Sequence, residues 1–227
     1  ERARLLDRAE LGAVMALNRD IFIRTTLLLF SFAWVARLGS MQGDVVLAAN
    51  GILLEFFLIS SHALDGFAMA AETLVGQAMG AGSVRRLRRA VAVSTLSAVA
   101  LAAMLSGVFV LGADIAIRGF TNVEAVRGVA GTYALWAAFI PLVGVLAYQA
   151  DGIFIGASRG PAMRNAMIVA AGTFLPLGWL MTVEFGNHGM WGALWLFMGL
   201  RAAALAVQYP ALERTVARVR ARASAGA

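Results

Sequence analysis

The sequence predicts an all-α, polytopic membrane protein with six transmembrane helices. Three observations carry that prediction. Hydrophobic residues make up 60% of the 227 and charged ones 14%, with a mean hydropathy of +0.78. Apolar segments long enough to cross a bilayer recur along the chain, and arginines cluster between alternate segments. A soluble domain carries roughly 25% charged residues, so this chain has too few to cover a surface facing water. It has no cysteine, which excludes a disulfide framework, thiol chemistry and a Cys-based metal site. The apolar segments are too long and too many for a cleavable signal. Because the chain opens on Glu1 rather than Met, it is expected to be a piece of a longer protein.

Six apolar segments follow one another, over about 21–38, 45–79, 90–113, 128–158, 165–183 and 190–212. A bilayer core needs ~20 helical residues. The second and fourth segments exceed that and are expected to tilt, kink or project. No ~10-residue alternating pattern of a β-barrel is present. Residues 1–17 mix arginines with Leu5, Leu6, Ala9 and Val14, as an interfacial helix or a cytoplasmic connector would. Residues 18–213 form the six-helix lobe. Residues 214–227 are basic and small and are expected to fray as a cytoplasmic tail.

The chain has no lysine, so arginine sets the orientation. Arg2, Arg4, Arg8 and Arg19 precede the first segment. Arg85, Arg86, Arg88 and Arg89 join the second to the third, Arg159 and Arg164 the fourth to the fifth, and Arg214, Arg218, Arg220 and Arg222 follow the last. The other side holds Arg37, Arg118 and Arg127, diluted by Asp44, Asp114, Glu124 and Glu184. The positive-inside rule then places both termini in the cytoplasm of a cell (inner) membrane protein. The net charge of +6 follows from this alternation, which argues against a nucleic-acid partner.

The second segment contains "LLEFFLISSHALDGFAMAAETLVGQ", residues 53–77, with three carboxylates and a histidine. A charged side chain at mid-membrane costs at least ~2.5–3.5 kcal/mol. Glu55, Leu58, His62, Asp65, Met69, Glu72 and Gly76 follow at steps of three or four. The ionisable groups among them, Glu55 to Glu72, therefore form one helical stripe about 26 Å long, expected to face a wet interior while the remaining faces meet lipid. Asp65 lies deepest, and Gly66 after it is a place for a bend. In "PLVGVLAYQADGIFIGASRG", Asp151 is a second intramembrane acid, sharing a face with Tyr148 and Gly144. Pro141 interrupts the same helix and frees a carbonyl. Carboxylate, phenol and broken helix suggest a cation or proton site. The alternative is that Asp151 caps a neighbouring helix or pairs with an arginine. Gly152, Gly156 and Gly160 make a GxxxGxxxG row that permits close helix packing.

Enzymatic readings lack parts. No HExxH, GxSxG or Walker loop is present. His62 stands beside Ser60 and Ser61, but adjacent residues point to different helix faces, so they form no nucleophile–base pair. His188 falls in a turn near Trp191, a pattern typical of an interface. No metal site and no cofactor are expected.

"AAETLVGQAMGAGSVRRLRRAV" resembles a signature of multidrug and toxic compound extrusion (MATE) transporters. There a helix ends in GQ-x-x-GA and a basic turn starts the next helix. "NRDIFIRTTLLLFSFAWVARLGSMQGDVVLAANGILLEFFLISSHALDGFA" and "DGIFIGASRGPAMRNAM" are similar to the DinF-like branch of that family. The resemblance implies one lobe of a twelve-helix transporter, its C-terminal six helices, with the N-terminal lobe missing. It also implies exchange of H⁺ or Na⁺ for cationic or amphipathic organic compounds by alternating access. Asp151 matches an acidic position of the tenth helix tied to cation coupling, and Asp65 falls in the "ALDGFA" stretch of this branch. Both are coupling candidates, with Glu55, His62, Met69, Glu72 and Tyr148 as cavity-lining candidates. A half-size homo-oligomeric transporter or pore with a polar central cavity is the alternative.

Overall fold

The computed structural model describes residues 8–225, all of whose regular elements are helices. They are α1 (Arg8–Ser40), α2 (Asp44–Gly80), α3 (Val84–Phe120), α4 (Glu124–Ala138), α5 (Ile140–Gly156), α6 (Gly160–Ala206) and α7 (Tyr209–Ala225). The parts of the expected connector and tail that fall on 1–7 and 226–227 lie outside the described residues. Residues 8–17 of the connector continue α1 as one helix.

Six passes emerge once two breaks are understood. α4 and α5 are bent by 42° and form one broken pass. Pro141 opens α5, and its ring leaves no N–H for the carbonyl four residues earlier. α6 is broken at Gly186, whose φ of 58° and ψ of −139° are non-helical and tolerable because glycine lacks a Cβ. The chain reverses there. The Phe174 and Phe197 rings lie 5.0 Å apart, whereas a straight helix would separate them by about 35 Å. α6 is therefore two antiparallel arms, which correspond to the fifth and sixth segments.

α2 and α3 have 37 residues each, about 55 Å of helix against a hydrocarbon core of ~30 Å. α2 runs without interruption through Gly66, so the helix is not broken there. Its glycine has open space around it and no proline or inserted polar group forces a kink. α2 ends in a Schellman turn: Ser83 N–H donates to Ala78 O and Gly82 N–H to Met79 O, with Gly82 at φ +59°. Ser83 then caps α3 by accepting from Arg86 N–H.

α5 is the central strut, packed on α2, α3 and the α6 hairpin, while α1 lies along α6. Glycine sets the α2–α5 distance. A Cβ at Gly152 would collide with the carbonyl of Ala68, and one at Gly156 with that of Glu72. The glycine row thus brings α5 into backbone contact with α2 at the level of the charged residues.

The main core gathers Phe56, Phe174, Trp191, Phe197, Leu38 and Leu53. At the end opposite the arginine clusters it is closed by a buried amide cluster. Asn50 and Asn187 exchange hydrogen bonds of 2.8 and 2.9 Å, and Trp191 Nε1 donates to Asn50 Oδ1 at 3.1 Å. These bonds pin the α6 reversal to α2. The outer surface is apolar: Leu111 is 86% and Ile115 77% exposed, an arrangement suited to lipid. This is a multi-pass membrane protein.

The described part of the segment expected to fray is helical. Helix α7 runs to Ala225, and Leu212 and Val216 are buried in a second core with Leu87 and Leu205. Arg88 donates twice to Glu213, at 2.7 Å each. The sixth segment also ends earlier than expected, because α6 stops at Ala206 and α7 starts at Tyr209.

Candidate functional site

A cavity of about 320 Å³ opens where α1, α2 and α5 converge, with one residue from the second arm of α6. α1 contributes Arg24, Leu28 and Phe32. α2 contributes Phe57, Ser61, Asp65, Ala68, Met69 and Glu72. Tyr148, Asp151, Gly152 and Ile155 come from α5, and Arg201 from α6. Three carboxylates and two guanidinium groups therefore share one intramembrane space.

The charges are not equivalent. Asp151 is buried and held by two arginines from different helices. Arg201 Nη2 donates to its Oδ2 at 2.7 Å, and Arg24 Nη2 donates to the same oxygen. The Arg201 side chain is 3% exposed and that of Arg24 16%. Arg201 also lies over the Phe197 ring, 5.6 Å from its centroid, a cation–π arrangement. The Nε atoms of both arginines are buried without a partner among the described residues. The triad joins α1, α5 and α6 and leaves one wall of the cavity positively charged. Asp65, by contrast, makes no salt bridge among the described residues and is exposed toward the cavity. Phe32, Phe57 and Tyr148 form an aromatic wall, with ring centroids 4.8 and 6.4 Å apart in succession. Free carboxylate, hydroxyls of Ser61 and Tyr148, and aromatic faces are groups that can hold a cation or an amphipathic molecule.

Of the residues singled out in the sequence, Asp65, Met69, Glu72, Tyr148 and Asp151 come together here. Glu55 and His62 do not line the cavity. His62 is exposed and its Nδ1 contacts Leu58 O at 2.8 Å. The reason is angular. At about 100° per residue, the lining positions of α2 centre between Ser61 and Glu72, and Glu55 and His62 lie about 90° round the helix. A stripe stepped by threes and fours drifts, and its outer half leaves the cavity. The same drift brings in Phe57, Ser61 and Ala68, which the stripe omitted.

Arg24 and Arg201 were missed altogether. Both stand inside apolar runs, "FIRTTLLLF" and "MGLRAAAL", and an intramembrane ionisable residue is itself a site signal. The alternative weighed for Asp151, pairing with an arginine, is the observed geometry. His188 packs its ring 4.7 Å from Tyr133, and its Nδ1 accepts from Trp136 Nε1 at 3.0 Å. Among the described residues no three His, Asp or Glu side chains converge to hold a metal.

Known proteins share this plan. A solved MATE structure in the bent conformation superposes with a TM-score of 0.77 at 18% identity, covering 86% of this chain and 44% of that one. A MOP superfamily transporter from Pyrococcus furiosus, described as having a binding pocket of reverse polarity, gives 0.74 at 19% identity over 87% and 44%. DNA damage-inducible protein F of Escherichia coli K12 is 37% identical over 203 residues, 88% of this chain and 43% of the relative. A probable multidrug resistance protein NorM of Xylella fastidiosa is 28% identical over 199 residues, 86% and 40% respectively. The chain thus spans less than half the length of the curated relatives it matches. The MatE family model matches residues 21–180, and the chain belongs to the MatE family of transporters.

Proposed function

We propose that this chain is the C-terminal lobe of a secondary active efflux transporter that exchanges H⁺ or Na⁺ for cationic or amphipathic organic compounds by alternating access. It works in the cell (inner) membrane with both termini cytoplasmic, paired with an N-terminal lobe. The single observation that carries this reading is the cavity, an intramembrane space with an unpaired carboxylate, Asp65, facing an ion triad and an aromatic wall. An uncompensated carboxylate in a membrane is costly unless it faces water, a cation or another protein surface. A second lobe across the cavity supplies that surface, and rocking of two lobes exposes the site to each side in turn.

In this reading Asp65 takes up the coupling cation or proton, and a bound organic cation lies against Phe32, Phe57 and Tyr148. Charge on Asp65 cannot serve both at once, which is the basis of exchange. Asp151 acts through its arginines: neutralising it would release Arg24 toward the cavity and change the local field. Glu72, near the arginine-rich end, extends the acidic face. Cationic-dye efflux from proteoliposomes containing the full-length protein tests the proposal. Efflux driven by an imposed proton or sodium gradient is expected, and its absence under both gradients would overturn the reading.

A further inference from the structure

We propose that the groove between α2 and α3 at the arginine-rich end binds an anionic phospholipid, headgroup phosphate at one end and acyl chain along the other. A concavity of about 350 Å³ is lined there by Leu74, Gln77 and Ala78 of α2 and by Arg86, Arg89, Ala90 and Val93 of α3. The residues step by three and four on each helix, so two helical faces meet along one groove. Its composition is graded. Arg86, Arg89 and Gln77 lie toward the turn, and Leu74 and Val93, 41% and 54% exposed, lie deeper.

Charge complementarity selects the occupant. Four arginines crowd the first two turns of α3, and its first turn holds no acid. Positive charge at a helix N-terminus opposes the macrodipole, so an anionic partner stabilises these groups. Arg88 has one, the Glu213 carboxylate of α7. Among the described residues Arg86 and Arg89 have none. A soluble anion would answer the charge but not the apolar floor, which continues into the lipid-facing surface. A phospholipid phosphate with its chain answers both, and basic pockets between membrane helices recognise such headgroups.

Native mass spectrometry of the detergent-solubilised full-length transporter, with equimolar dioleoyl-phosphatidylglycerol and dioleoyl-phosphatidylcholine, tests the site. Each arginine at such a surface contributes about fivefold, so the chain should prefer phosphatidylglycerol on the order of 25-fold. Arg86→Gln with Arg89→Gln should bring the ratio near parity. Arg85→Gln, which changes an arginine outside the groove, should retain it. Val93→Trp, which fills the apolar part and leaves both arginines, should reduce retention of phosphatidylglycerol. Millimolar glycerol 3-phosphate should not displace it. Equal binding of the two lipids, an Arg85→Gln loss as large as that of Arg86→Gln, an unaffected Val93→Trp, or displacement by glycerol 3-phosphate would each overturn the proposal.

Discussion

Neutralising the two cavity aspartates should have unequal structural consequences. Asp151→Asn removes the only carboxylate among the described residues that contacts Arg201, whose side chain is 3% exposed. That guanidinium is then a buried charge without a counter-ion, and breaking a buried pair from one side costs about 3–5 kcal/mol. Arg24, 16% exposed and on the cavity wall, can be hydrated and adds less. At about 2–4 °C per kcal/mol for a chain of this size, the melting midpoint should fall by roughly 6–20 °C. Asp65→Asn removes an unpaired, exposed carboxylate and should change stability by no more than about 0.5 kcal/mol, a midpoint shift of about 1–2 °C. Combining Asp151→Asn with Arg201→Met should recover most of the loss, because apolar replacement of a buried pair is often neutral. Thermal unfolding in detergent, followed through the five tryptophans, gives the comparison. Equal midpoints for Asp151→Asn and wild type, or equal losses for the two aspartates, would refute the triad as a buried structural pair.

Other outcomes follow from the same geometry. Gly152→Ala and Gly156→Ala should each destabilise by about 1–3 kcal/mol, since the methyl meets α2 backbone. Gly172→Ala, with open space around it, is the control, and a similar loss there would refute the close-packing argument. Asn50→Leu should cost about 1–3 kcal/mol by stranding buried Asn187 and Trp191, measured by the same unfolding, and a neutral result would remove the amide pin. Arg85→Cys should resist an impermeant thiol reagent added outside cells while Asn122→Cys reacts. Labelling of Arg85→Cys from outside would reverse the proposed orientation. The chain expressed alone should insert, self-associate in mild detergent and carry out no gradient-driven export, and robust export would favour the half-size homo-oligomer.

The passes were legible in the sequence because length and hydropathy act locally. "YALWAAFIPLVG" announced its own break through Pro141, and the glycine row beside Asp151 announced a close contact whose partner, α2, it did not name. What was not legible depended on which faces meet. Glu55 and His62 matched the helical stepping of Asp65, yet the cavity takes only one angular sector of α2. Arg24, Asp151 and Arg201 are separated by 127 and 50 residues, and no local pattern joins them. Basic composition suggested a frayed tail over 214–227, but Leu212 and Val216, one turn apart, supply a buried face that only the packing against Leu87 and Leu205 reveals.

The role of Asp65 is tested most directly by gradient-driven dye efflux from liposomes containing the full-length protein, comparing wild type with Asp65→Asn and Asp65→Glu. Asparagine keeps the shape but cannot exchange a proton or neutralise a cation, so Asp65→Asn should abolish coupled efflux while remaining folded, and Asp65→Glu should retain part of it. Wild-type efflux with unchanged pH dependence in a folded Asp65→Asn transporter would contradict the account.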